Sequence, residues 1–291
     1  MNHYCTLFDH NYLPRGIVLH DSLMEHSSGG ALLHVLCMSS QAEATILKLK
    51  RRSDKFDNLF VYNLDYPGFD RNALIKARGN RTWTEFCWTM ASVFSNMLLK
   101  SGIREITYLD ADMMFFGDPA VVHKEIRISG IGIIPHRFIP EKKHLEINGK
   151  FNVSWVTLKD TPRSMACSNE WAAQCLEWCY YRVEGNKFGD QKYLDEWPSK
   201  YHCECKVIEN IGAGLAPWNL ANYNLGTRDG VLYAEQERVI FYHYHEFAEL
   251  DNGKYRLTNY KLREEDVRYI YNPFILEYEK AKALVIRLKE D

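Results

Sequence analysis

Ile106-Thr107-Tyr108-Leu109-Asp110-Ala111-Asp112-Met113-Met114-Phe115-Phe116 is the stretch around which the rest of the chain can be read. An apolar, β-favouring run feeds into two carboxylates one residue apart, and a second apolar run follows. A buried strand is therefore expected to deliver Asp110 and Asp112 to its carboxyl end, where ligands sit in open α/β sheets. On extended chain an i, i+2 pair leaves on the same side, so two hard oxygen ligands can converge on one divalent cation, which in turn can hold a diphosphate. The same three residues also suit a plain strand-to-loop turn, because Asp is a favoured turn residue.

Upstream, the chain alternates strand and helix signals. Tyr4 to Phe8 reads as a first strand, Asp9 to Tyr12 as its loop, and Pro14 as the start of a helix running to about His26. Ala31 to Met38 is a second strand, Glu43 to Lys50 a helix capped by Ser40, and Leu59 to Tyr62 a third strand. This spacing predicts a right-handed βαβ series and a parallel sheet. Asp65 to Arg81 reads as a polar interruption carrying Lys76, Arg78 and Arg81, before a long helix over Trp83 to Lys100. Asp118 and Pro119 open a short helix after the central strand.

The second half is less regular. Gly130 to Pro135 and Phe151 to Leu158 look like strands, and Ser164 to Val183 like a helix. Asp190-Gln191 opens another helix, expected to stop at Trp197-Pro198. Asn210 to Asn219 is Gly-rich but lacks the phosphate-loop Lys-Ser/Thr and the dinucleotide spacing. Arg238 to His245 reads as one strand carrying His243 and His245 on one face, and Glu264 to Lys289 as a terminal helix. Tyr269, Tyr271, Phe274, Ile275 and Tyr278 on that helix are expected to pack on the sheet, with contact to a membrane surface through Lys280 and Lys282 as the alternative use.

Composition narrows the function classes. With 46% hydrophobic and 25% charged residues, the 291-residue chain reads as globular and able to bury a sizeable core. Lys and Arg number 36 against 38 Asp and Glu, so the formal charge of -2 offers no global field for nucleic acid or membrane. The one basic cluster, Lys48 to Arg52, sits where a helix should end and complements its dipole. No apolar run approaches the roughly 18 residues that span a bilayer, and Met1 to His10 has no export signal, so a cytoplasmic protein with free thiols is expected from its eight cysteines. His202, Cys203 and Cys205 lack the paired spacing of a zinc site. Trp155, Trp197 and Trp218 are read as core rather than as sugar platforms.

With these pieces placed, the sequence resembles the GT-A fold glycosyltransferases, and within them family 8 and its bacterial relatives. Four motifs in order carry the resemblance: Tyr4 to Tyr12 as the first loop, Tyr108-Leu109-Asp110-Ala111-Asp112 as the Asp-x-Asp motif, Phe151-Asn152-Val153-Ser154, and Gly189-Asp190-Gln191. The resemblance implies an α/β chain with a Rossmann-like, mixed but mostly parallel sheet flanked by helices and a C-terminal helical extension. It implies one domain over 1-291, with about 1-120 binding donor, about 121-245 facing acceptor and about 246-291 a helical tail. The implied activity is metal-dependent transfer of a sugar from a nucleotide-diphosphate sugar, a UDP-sugar first, to a glycan or lipid-linked glycan such as a growing surface polysaccharide.

The resemblance also implies residue roles. Asp110, Asp112 and His243 would hold Mn²⁺ or Mg²⁺, with His245 the alternative to His243. Thr6, Asp9, Asn11 and Tyr12 would hold base and ribose. Asn152, Ser154, Asp190 and Gln191 would face the donor sugar, Asp190 and Gln191 as the catalytic pair, although Asp190 also suits a helix cap. The family's Gly and diphosphate-binding Lys after the metal histidine are replaced by Glu246 and Glu249. Its helix Arg is missing near Trp88 and Thr89, and Arg81, Arg78 and Arg15 are the candidates to substitute for it. Family 8 retains the anomeric configuration, and these departures leave retention or inversion open here. Two other readings compete: a haloacid-dehalogenase-like Mg²⁺ phosphatase with Asp110 as nucleophile and Gly189-Asp190 binding metal, and a catalytically silent nucleotide-sugar binder.

Overall fold

The computed structural model describes residues 1–251 and 253–290, the side chains of Lys289 and Glu290 excepted. The first strand β1 (Asn2–Phe8) is followed by α1 (Leu13–His26), β2 (Ala31–Cys37), α2 (Ser40–Arg52), β3 (Leu59–Asn63), α3 (Arg71–Gly79), α4 (Trp83–Lys100) and β4 (Glu105–Leu109). After these come β5 (Met113–Phe115), α5 (Ala120–Glu125), β6 (Ile131–Pro135), β7 (Phe151–Lys159), α6 (Pro162–Glu177), α7 (Trp197–Lys200) and β8 (Cys205–Val207). Among the described residues, seven strands form the main sheet in the order β3-β2-β1-β4-β7-β6-β8. β7 runs antiparallel to both of its neighbours, and the other pairings are parallel.

Both faces of the sheet are covered, which is why its strands read as continuous apolar runs rather than alternating ones. Tyr4 and Phe8 of β1 face α1, α2 and the C-terminal segment, while Cys5 and Leu7 face α4 and α6. α4 is the long wall of the second layer, started by a capping box between Thr82 and Glu85.

Several boundaries differ from the sequence reading, each for a local reason. The polar stretch before α4 contains α3, capped by Asp70; only Leu74 and Ala77 of that helix are buried, too narrow a stripe to show in the pattern. Ser39 rather than Ser40 caps α2 by accepting from the Ala42 N–H. α6 stops at Glu177 because the Arg81 guanidinium takes the carbonyls of Cys175 and Leu176 in its last turn. The helix after Gln191 is a 3₁₀ turn, Lys192–Glu196, that continues into α7; Pro198 sits in its first turn, where a missing N–H costs nothing.

The expected strand over 238–245 is divided. β9 (Leu225–Arg228), β10 (Val231–Ala234) and β11 (Glu237–Arg238) make a meander, and β12 (Phe241–His243) leaves it to pair with β5. A short hairpin, β13 (Ala248–Glu249) and β14 (Tyr255–Arg256), precedes the terminal helix. That helix begins as α8 (Glu264–Asp266), passes through a π-helical turn at Val267–Tyr271 and continues as α9 (Asn272–Glu290). Its buried residues, Tyr271, Phe274, Tyr278, Val285 and Leu288, join the cluster around α1 and α2, so it packs on helices and on Tyr242 and Tyr244 rather than on the main sheet. No helix among the described residues is long and apolar enough to cross a membrane.

Candidate active site

In the order β3-β2-β1-β4 the chain direction of construction reverses between β1 and β4, the place where open α/β sheets leave a crevice. Cys5 pairs with Tyr108, so the segments after both strands, beginning at Asp9 and at Asp110, emerge at one edge. β4 ends at Leu109, and Ala111 and Asp112 lie in a turn. Strand alternation therefore does not aim the two carboxylates. The turn returns the chain as β5, which pairs antiparallel with β12 in a register that sets His243 opposite Met113. The Tyr244 N–H donates to the Asp112 carbonyl at 2.8 Å and locks that register.

The outcome is a compact donor set. Ligand atoms of Asp110, Asp112 and His243 lie within 4.8 Å of one another. His243 Nε2 is 3.1 Å from Asp112 Oδ1 and 3.7 Å from Asp110 Oδ2. His245 falls beyond β12 in a turn and is not part of this set; the Trp218 ring lies edge-on to both imidazoles, at 5.4 and 5.3 Å. Burial, with the like charge of Asp112, pushes Asp110 up to about 6. Burial also opposes charge on Asp112, but the His243 imidazole outweighs it and holds Asp112 down at about 2. For His243 the penalty of burial is in turn overcome by Asp112 and Asp110, which raise it. Two carboxylates and an imidazole with partial access to solvent suit a divalent cation of the Mn²⁺ or Mg²⁺ kind.

Around this set the other residues fall into two groups. Tyr12, half-exposed at the start of α1, has its hydroxyl pushed up to about 12 by the charge of Asp112 first and burial second. Asp9 accepts from the Asn11 backbone N–H at 2.9 Å and from Trp83 Nε1 at 2.9 Å, so the first loop is pinned to α4. Thr6 is wholly buried within β1. Asp190 is buried and its acidity is weakened strongly by that burial and then by the charge of Asp110, so the two carboxyl groups share one neighbourhood. No side chain caps the 3₁₀ turn after Gln191, and Gln191 Nε2 donates to the Asn148 carbonyl at 2.9 Å. Asn152 Oδ1 accepts the Ser154 N–H at 2.9 Å where a β-bulge shifts the β6–β7 register.

The sequence reading omits His136. Its Nε2 is 3.2 Å from Asn152 Nδ2, its ring stacks on Phe138 at 4.6 Å, and burial, aided by His243 and His245, holds it down at about 3. The available signal was a His at the end of a predicted strand, which on its own marks nothing. The Gly-rich loop proves structural: Arg137 donates to the carbonyls of Ile208, Asn210 and Ala213, and a Cβ at Gly212 would run into the Arg238 carbonyl. At the two replaced family positions, Glu246 holds a left-handed φ of 65°, the backbone shape a glycine takes without strain, and Glu249 pairs with Lys282 of α9.

Arg81 is engaged within the fold. Its Nη1 donates to Thr89 Oγ1 at 2.6 Å and the Cys175 carbonyl at 2.7 Å, and Nη2 to the Leu176 carbonyl at 2.7 Å. Arg81→Gln is therefore expected to lower stability by about 2 kcal/mol, the scale of lost charged hydrogen bonds, as measured by denaturant unfolding. A variant of unchanged stability that bound donor poorly would show the opposite role. The eight cysteines are free thiols, and among the described residues none belongs to a metal-ligand cluster.

No protein-family model matches the chain. Among curated proteins it is similar to the uncharacterized protein YfnD of Bacillus subtilis (strain 168), 28% identical over 285 residues that cover 96% of this chain and 89% of YfnD. YfnF of the same organism is 26% identical over 253 residues, covering 83% and 80%. Among solved structures, galactosyltransferase LgtC in complex with donor and acceptor sugar analogs superposes with a TM-score of 0.59 at 13% identity, covering 96% of this chain and 95% of that one. Mouse xyloside xylosyltransferase 1 does so with a TM-score of 0.53 at 12% identity, covering 87% and 99%. The likeness lies in the backbone: this chain has the GT-A fold, a mixed, mostly parallel sheet flanked by helices with a helical C-terminal extension.

Proposed function

We propose that this protein is a metal-dependent glycosyltransferase that moves a sugar from a nucleotide-diphosphate sugar, a UDP-sugar first, to a glycan or lipid-linked glycan acceptor. The observation that carries the reading is the convergence of Asp110, Asp112 and His243 at the crevice between β1 and β4, with Tyr12 and Asp190 on its margins. The LgtC structure of the same fold, described as a complex with donor and acceptor sugar analogs, supports the substrate class.

In this reading Asp110, Asp112 and His243 hold Mn²⁺ or Mg²⁺, which when bound neutralises the charge that grows on the departing diphosphate. Asp9, Asn11 and Tyr12 hold base and ribose, Tyr12 by stacking its half-exposed ring; Thr6 acts from beneath, as part of the strand. Asn152 and Ser154 orient the donor sugar. Asp190 faces the reacting carbon from a buried position, and Gln191 keeps its loop in place through Asn148. The acceptor side is the half that contains β6, β7 and α6, and a growing surface polysaccharide at the inner face of a membrane fits a chain with these features.

Thermal unfolding with UDP, GDP or CDP, each with Mn²⁺, Mg²⁺ or chelator, tests the reading. A nucleotide at about 100 times its dissociation constant adds about 2.7 kcal/mol, a rise of roughly 4 °C for a chain of this size. The expected result is such a rise with one nucleotide, lost with chelator. No rise with any nucleotide, together with metal-dependent release of phosphate from a phosphomonoester, would instead establish the phosphatase reading.

A further inference from the structure

Arg15, in the first turn of α1, is only 7% exposed, yet among the described residues it forms no ion pair with a carboxylate. Its Nη2 donates to the Phe247 carbonyl at 2.7 Å, and its Nε is buried with no partner. The guanidinium is held between rings, 4.3 Å from the Tyr12 centroid, 5.7 Å from Phe247 and 5.8 Å from Tyr278. Buried charges are ordinarily paired, because an unpaired one loses its hydration without return. Stacking offsets part of that loss and also fixes the plane of the fork. The other buried or half-buried guanidinium groups are more fully engaged: Arg81 donates from both Nη atoms to Thr89, Cys175 and Leu176 and leaves only its Nε without a partner, Arg137 donates to three carbonyls, and Arg263 donates to Asp266 and the Tyr223 carbonyl. Arg78 is exposed over Trp83, on the Asp9 side.

Arg15 also belongs to the crevice by its place in the chain: it opens α1 directly after the first loop at the carboxyl end of β1, beside the end of β4, and it is tied to Tyr12 of that loop and to the Phe247 carbonyl in the segment just after His243. A planar fork with unfilled N–H groups at this point matches two oxygens of a phosphate better than any other group available here. Resting on the glycosyltransferase reading, we propose that Arg15 is the diphosphate clamp of this protein: its free N–H groups bind the phosphate oxygens of the donor beside Asp112. The role is taken from α1 rather than from the segment after β12, where Glu249 is turned away to Lys282.

The test uses ligands that lack base and sugar: Mn²⁺ alone, and inorganic pyrophosphate at saturating Mn²⁺, titrated calorimetrically into the wild type, Arg15→Gln and Arg15→Lys. Arg15→Gln should weaken pyrophosphate about 10- to 100-fold, the scale of charged hydrogen bonds, while Mn²⁺ alone binds as tightly or more tightly because a nearby positive charge is gone. Arg15→Lys keeps the charge but not the fork, and should weaken pyrophosphate at least about fivefold without tightening Mn²⁺. A merely structural role moves both ligands in the same direction. Wild-type pyrophosphate affinity in folded Arg15→Gln overturns the clamp; if that variant does not fold, wild-type affinity in Arg15→Lys does so. A wild type that binds neither Mn²⁺ nor pyrophosphate overturns the metal-dependent reading itself, a failure distinct from that of Arg15.

Discussion

Asp112→Asn lowers sugar transfer, or donor hydrolysis where no acceptor is supplied, by roughly a thousandfold, with the fold retained. The expected loss reflects about 4 kcal/mol of charge stabilisation on the leaving diphosphate, converted at 1.36 kcal/mol per factor of ten. Asp112 is the more firmly ionised of the two carboxylates and stands 3.1 Å from His243 Nε2, so its replacement by a neutral amide removes the best anionic donor of the proposed metal set. Stability changes little, within about 1 kcal/mol, because the lost attraction to His243 is offset by relief of Asp110 from a like charge. Wild-type protein stripped with chelator should match the variant, and manganese should restore only the wild type. The pH dependence has a defined sign. Asp110 sits at about 6, so protons compete with the cation below that value and metal affinity falls as pH falls through it. Turnover of Asp112→Asn at the wild-type rate would sink the assignment of this residue as a ligand.

Phe274→Ala should cost about 3 to 5 kcal/mol, seen as a fall in Tm of roughly 5 to 8 °C. Phe274 is fully buried, stacks on Tyr244 at 3.7 Å and 16°, and meets Phe247 edge-on at 4.9 Å. Tyr244 is the residue after His243; its hydroxyl donates to the Ile270 carbonyl at 3.0 Å, and its N–H donates to Asp112. The terminal helix thus buttresses the segment that carries His243, the third proposed ligand, and the cavity left by Phe274 lies directly behind it. Manganese affinity in the variant, measured below its Tm, should fall along with stability. A cost under about 1 kcal/mol with unchanged metal affinity would show that the terminal helix is an appendage rather than part of the site.

Much of this protein is encoded within short windows of sequence. The alternation of apolar strands with capped, amphipathic helices through α4 follows from propensities and caps that act within one or two turns, and Asp110 and Asp112 could be placed at the end of β4 from the run that precedes them. Where burial stripes are narrow, as in α3 with only Leu74 and Ala77 inside, the same signals fall silent. The site, in contrast, depends on contacts between segments far apart in the chain. His243 becomes a neighbour of Asp112 because β12 leaves the meander to pair with β5, a choice made by the N–H groups of Ile240, His243 and Tyr244 donating to the carbonyls of Gly212, Leu215 and Asp112 rather than by any local pattern. The guanidinium groups of Arg15 and Arg81 look alike in sequence, and only packing separates them. Arg81 meets the carbonyls that end α6, while Arg15 meets aromatic rings and a single carbonyl beside the carboxylates. Backbone propensity determined the strands and helices, and long-range burial decided which charges were left with unfilled donors at the crevice.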